Sequence, residues 1–139
     1  TGRIGESKRE LRKLKQLAGE KMRDLRWRDR LSRVEVELMA LEITNLRFLD
    51  RMRRTGQPPG ADVSMLKIKG TEIQQALTEL MMDAAGPAAQ PFAPVAGNDR
   101  FDRFTASLAP RYCNYRKTTI YAGSNEIQRN IIAKHALGL

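Results

Sequence analysis

Apolar residues recur by threes and fours along most of this chain. Leu11, Leu14 and Leu17, with Lys and Arg between them, predict a short amphipathic helix over residues 6–19 that Gly19 ends. Residues 20–28 are polar and mixed and read as a connection. From Asp29 to Arg54 the seam Leu31, Val34, Leu38, Leu41, Asn45, Phe48 and Met52 predicts one helix of about seven turns. The cluster "TGQPPGAD" over residues 55–62 breaks it. A second long helix follows, from about Asp62 to Ala85, with Leu66, Gly70, Ile73, Leu77, Leu80 and Ala84 on one face. Residues 84–98, rich in Ala, Pro and Gly, read as a loop. A short helical piece over Asp102 to Ala109 comes next, then a less patterned stretch through Tyr112, Tyr115 and Thr118. The last helix runs from about Ser124 to Ala136, with Ile127, Ile131 and Ile132 inward and Gly138 as the stop.

No period-two run of β-branched residues competes with these helices. The pattern therefore predicts an all-α fold: an up-and-down four-helix bundle with additional short helices, in one domain spanning residues 1–139. At 41% hydrophobic residues the chain can bury a core. No apolar run approaches the roughly 18 residues that would suggest a membrane span. The chain opens on Thr1 and not Met, as a processed or truncated product does.

Several chemistries fall to residue counting. The one cysteine, Cys113, rules out an internal disulfide, points to a reducing compartment and reads as a small packed residue. His135 is the only histidine, with no partner at ligand spacing, so no metal centre and no Ser/His/Asp triad are expected. His135 itself reads as a cation at a helix C-terminus. No phosphate loop of the G-x-x-x-x-G-K-[ST] type is present.

Charge is unevenly spread. Residues 1–54 hold 16 Lys/Arg against 9 Asp/Glu, so +7 of the net +9 lies there. Such a half contacts nucleic acid, faces a polyanionic cofactor or an acidic neighbouring domain, or is a solvated helix face. The aromatic interleaving of a single-strand binder is sparse, with Trp27 nearly alone among the early arginines, so nucleic acid is not among the expected partners.

The final segment, "YAGSNEIQRNIIAKHALGL", resembles the C-terminal signature of the acyl-CoA dehydrogenase family, Tyr-Glu-Gly-Thr-x-x-Ile-Gln-Arg with a Leu-Gly-Leu-like tail. Tyr121, Gly123, Ser124 (for Thr), Ile127, Gln128 and Arg129 carry the match. "VELMALEITNLRFL" and "SMLKIKGTEIQQALTELMMDAAG" look like the two long helices of that family's C-terminal bundle. The resemblance implies the third part of a three-domain flavoenzyme of fatty acid metabolism, cytoplasmic or in an organelle matrix. It implies FAD as cofactor and an acyl-CoA thioester as substrate. The implied partners are the N-terminal and β domains of the same protein, further copies in a homo-oligomer, and electron-transfer flavoprotein or a similar acceptor. A carboxylate in such enzymes removes the α-proton of the thioester.

Carried over residue by residue, the resemblance gives Gly123, Ser124, Glu126 and Gly86 to the cofactor and Tyr121 and Gly123 to the substrate. Ala122 occupies the place of the usual catalytic Glu, so no catalytic residue is implied within this chain. Some branches of the family carry that Glu in an earlier helix, here upstream of Thr1, and a small residue at the place of Ala122. Ala122 also fits a catalytically silent partner or structural subunit of the same family.

Overall fold

A computed structural model of the chain describes residues 3–90, 92 and 100–139. Most of the loop expected over residues 84–98 lies outside the described residues. Helix α1 (Ile4–Ala18) buries Ser7, Leu14 and Ala18, with Leu11 and Leu17 half-buried beside them. It stops at Gly19, whose φ of +45° lies in the left-handed region that favours glycine. One 3₁₀ turn over Gly19–Arg23 follows.

Helix α2 (Leu25–Thr55) begins four residues before the expected Asp29. Asp24 is the reason. Its Oδ1 accepts from the backbone N–H of Arg26 at 2.9 Å and of Trp27 at 3.4 Å, satisfying donors that the helix start leaves free. Trp27 is thereby carried into the core at 2% exposure. The helix ends where Gly56 turns left-handed and its N–H reaches Met52 O at 2.9 Å. Helix α3 (Ser64–Ala85) follows a short 3₁₀ turn over Ala61–Val63.

Ion pairs fix the directions. Arg51–Asp62 lies near the α2–α3 connection, Lys69–Glu37 midway and Arg30–Asp83 at the far end, so α2 and α3 are antiparallel. Lys8–Glu42 and Lys15–Glu35 run α1 antiparallel to α2. Helices α4 (Arg100–Ala106) and α5 (Leu108–Tyr115) return the chain, and Arg111–Glu10 with Tyr115–Glu6 sets α5 antiparallel to α1. The result is an all-α, up-and-down four-helix bundle with additional short helices. Among the described residues there is no strand, and no helix is long and apolar enough to cross a membrane.

Helix α3 is the hub, packed against α1, α2, α5 and the last helix, α6 (Asn125–Ile132). Of its expected face, Leu66, Gly70, Ile73, Leu77 and Leu80 are buried and Ala84 is half-buried, and Ile68, Gln74, Thr78 and Met81 are buried beside them. Each fully buried Leu or Ile here contributes roughly 1.5–3 kcal/mol.

Three expectations need correction. The stretch through Tyr112, Tyr115 and Thr118 is helical, as α5 and a 3₁₀ turn over Arg116–Thr119, because α3 supplies partners for its backbone. Cys113 is a free, exposed thiol one turn beyond Ala109, since the burial of α5 is confined to its first turn at Leu108 and Ala109. Ile127 is 51% exposed, because α6 (Asn125–Ile132) docks on α3 through Asn125. A π-helical turn over Ala133–Leu137 closes the chain, with Lys134 and His135 in it and left-handed Gly138 after it.

Candidate functional site

The segment between α5 and α6 is anchored from below by α3. Gln75 Nε2 donates to the carbonyls of Tyr115 and Arg116, both at 3.2 Å. Arg116 donates in return to Glu79 at 2.8 Å and to Gln75 O and Thr78 Oγ1 at 3.0 Å, while its guanidinium lies 4.4 Å from the Tyr112 ring centre. The N–H groups of Ile120 and Tyr121 then both reach Lys117 O.

From this anchor the chain reverses. Ala122 has φ +56° and Gly123 φ +79°, two left-handed residues in succession. For Ala122 that conformation costs about 1–2 kcal/mol. Gly123 is favoured here by its backbone. Its φ favours glycine, and a Cβ there would also displace the flexible end of Gln128, whose Nε2 would stand 2.7 Å away. Gln128 reaches back along α6 and donates to Ala122 O at 3.4 Å. Ser124 is the N-cap of α6, its Oγ accepting from Ile127 N–H at 3.4 Å.

Asn125, the first residue of α6, is 3% exposed. Its Oδ1 accepts from Lys67 Nζ at 2.8 Å, and its Nδ2 lies 3.3 Å from Thr71 Oγ1. Outside it, Arg129 pairs with Glu72 at 3.2 Å. The outer surface of the turn is open: Ile120 is 69% and Tyr121 45% exposed, and Ala122 and Gly123 are exposed beside them. An open groove next to Tyr121 is lined by Arg3, Asn114, Tyr115, Lys117 and Thr118.

Glu126 is exposed at the start of α6. Its own backbone N–H and the Ser124 side chain, then Arg129 and Lys67, hold its carboxyl below the usual carboxylate range. A lowered carboxyl is a weaker base, which counts against proton abstraction by Glu126. The same two cations, Lys67 and Arg129, partly offset the Glu126 charge. Burial in turn lowers the Lys67 ammonium, against the pull of Glu126.

The structure thus brings Tyr121, Gly123, Ser124 and Glu126 together around one turn. It does not bring Gly86 to them. Asn125 docks at Lys67 and Thr71, and Gly86 caps the far end of α3, about 20 Å further along the axis. Sequence reading missed Lys67, Thr71 and Asn125 as site residues. Only the polar Asn at the head of an otherwise apolar-patterned helix hinted at them.

A family model described as acyl-CoA dehydrogenase, C-terminal domain, matches residues 3–137. The chain belongs to that family. Acyl-CoA dehydrogenase IpdE1 of Mycolicibacterium smegmatis is 39% identical over 83 residues, 60% of this chain and 19% of that protein. Acyl-CoA dehydrogenase IpdE1 of Mycobacterium tuberculosis is 35% identical over 112 residues, 81% of this chain and 26% of that protein. The chain therefore spans about a fifth to a quarter of the length of the curated relatives it matches. No solved structure matches. Within this acyl-CoA dehydrogenase C-terminal domain, the signature segment is the turn just described, and its small residue is Ala122.

Proposed function

We propose that this domain is the C-terminal part of an FAD-dependent enzyme that dehydrogenates an acyl-CoA thioester between Cα and Cβ when full-length. The family match over residues 3–137 carries the reading, and the open turn at the head of α6 supports it. The donor set suits a phosphate-bearing, acceptor-rich group: N–H groups at the α6 start and the Ser124 hydroxyl. Gly123, Ser124 and Glu126 would hold the cofactor, and Tyr121 with the backbone of Gly123 would line the thioester's path. Gly86, at the other end of α3, would serve the cofactor of a neighbouring copy. The chemistry FAD supplies is acceptance of the β-hydrogen as hydride. The α-proton goes to a carboxylate contributed by a part of the full-length protein outside this chain, since Ala122 has no proton acceptor.

Assembly with further copies belongs to the same proposal. Val36, Met39, Ile43 and Leu46 follow one another by threes and fours on the outer face of α2, each between 53% and 66% exposed. A helix apolar on both faces is suited to burial on both. The remaining domains of the protein, an electron-transfer flavoprotein as acceptor, and a cytoplasmic place in lipid metabolism complete the reading.

Ala122 favours a second reading, a catalytically silent subunit that pairs with an active one. One experiment separates them. The full-length protein is isolated with its flavin and mixed anaerobically with acyl-CoA thioesters of graded length. Bleaching of the flavin band is expected. A bound flavin that no thioester bleaches would favour the silent subunit, and a protein that takes up no flavin at all would overturn the dehydrogenase reading.

A further inference from the structure

We infer that Lys67 and Asn125 form a positioning pair that sets where the Tyr121–Ser124 turn stands on α3; the inference rests on the function proposed above. A buried amide costs stability unless its groups are satisfied, and an apolar residue would dock α6 on α3 without that cost. Here the satisfaction is specific. The Lys67 ammonium donates to Asn125 Oδ1 at 2.8 Å. Asn125 Nδ2 donates to Thr71 Oγ1 at 3.3 Å, and the Thr71 hydroxyl donates in turn to Ile68 O at 2.9 Å. Glu126 acts on the Lys67 ammonium through charge alone, and among the described residues the amide oxygen is its hydrogen-bond partner.

The other side-chain ties between α6 and α3 are weaker. The Arg129–Glu72 pair is exposed, and Ile127 points outward at 51% exposure. Gln128–Ala122 holds the shape of the turn, but it joins α6 to its own leading segment and travels with it. Asn125 directly follows Ser124. Any slide of Asn125 along α3 therefore carries Gly123 and Ser124 with it, and the groups assigned to cofactor and thioester move as one body. Lys67 and Asn125 touch neither, and act through the turn.

The test uses the full-length, flavin-loaded protein with Lys67→Met, Asn125→Leu, the double variant, and Asn125→Asp, whose carboxylate still accepts from Lys67. Hydrogen exchange of the peptide spanning 120–128 reads the tie directly. Each single variant should exchange about tenfold faster there, with peptides of α2 unchanged. The double variant should be no faster than either single, and Asn125→Asp should stay near wild type. Flavin reduction by the thioester should slow about tenfold in the same order, without loss of flavin. Unchanged exchange in the single variants, losses that multiply in the double, or an Asn125→Asp protein as impaired as Asn125→Leu would each overturn the pair. Should Asn125→Leu fail to fold, Lys67→Met and Asn125→Asp still decide. A wild-type flavin that no thioester reduces would overturn the proposed function instead, while the exchange arm still decides the pair.

Discussion

Gln128 lies over Gly123 so closely that a Cβ on the glycine would stand 2.7 Å from Nε2. The two residues of the signature segment are therefore one unit: the glycine turns the chain, and the glutamine closes over it and holds Ala122 O. Gly123→Ala should destabilise the chain by about 1–2 kcal/mol from the left-handed backbone alone, and by more where Gln128 must move. Adding Gln128→Ala should recover the contact part and leave the backbone part. Urea unfolding of the two variants checks this. Full recovery in the double variant would mean that the φ of +79° carries no cost.

The α1–α5 contact has its own pH signature. Burial alone would raise the Glu10 carboxyl, but hydrogen bonds from Arg111 and Lys13 outweigh it and hold it below the usual range. A folded-state value below the unfolded one gives stability that is present above about pH 4–5 and is lost as the pH falls through the folded value. Tyr115 is raised, first by burial and then by its hydrogen bond to Glu6. Its contribution is present below about pH 10 and is lost as the pH rises through the folded value. Stability should therefore decline at both ends. Glu10→Gln should cost roughly 1–2 kcal/mol at neutral pH and flatten the acid limb alone. Thermal melts across pH 3–11 measure both limbs, and an acid limb as steep in the variant as in wild type would count against this contact.

Expressed alone, the chain should give a helix-dominated far-ultraviolet circular dichroism spectrum and hold FAD only weakly. Its core is contiguous from Leu14 and Trp27 through Phe48 to Leu108, which supports independent folding. The groups assigned to FAD are few and lie at two distant ends of α3. Equilibrium dialysis decides the second point: submicromolar binding by this chain would mean that the bundle holds far more of the site than these residues provide.

The outer face of α2 makes a further prediction. Met39→Glu and Ile43→Lys put charges into the middle of the exposed apolar row. In the full-length protein they should lower the oligomeric state measured by sedimentation, with little effect on helix content. A sedimentation profile identical to wild type would remove this face from the assembly.

Periodicity made the bundle legible, because α1, α2 and α3 each bury one face and that face repeats in sequence. It could not show that α2 opens at Asp24, since a cap is a single polar residue ahead of any repeat. Trp27 went with the arginines around it for the same reason, though it is a core residue. Where one helix has two apolar faces, the stronger seam hid Val36, Met39, Ile43 and Leu46. The turn at Tyr121 was legible through resemblance. Its support was not, because Lys67 and Asn125 lie 58 residues apart and nothing local distinguishes this lysine from its neighbours.

Ala122 gives the last prediction. It stands at φ +56°, exposed, with its carbonyl held by Gln128. Ala122→Gly removes the strain of a side chain in that conformation. The gain, up to about 1 kcal/mol, is offset by the greater freedom of glycine in the unfolded chain. Ala122→Glu keeps the same backbone cost and adds a carboxylate to the open surface of the turn. Under the proposed function the α-proton is taken by a carboxylate elsewhere in the full-length protein. Replacing that group by its amide should abolish flavin reduction by thioester while flavin stays bound. Placing Ala122→Glu in the disabled protein should then restore a measurable part of the rate, since a positioned base contributes roughly 10²–10⁴-fold. Glu126 supplies the control. Its carboxyl is held acidic by the helix start, Ser124 and the neighbouring cations, so Glu126→Gln should leave proton abstraction intact and weaken flavin binding at most. Loss of flavin reduction in Glu126→Gln, with flavin retained, would make Glu126 the base and overturn the assignment of that role to a residue outside this chain.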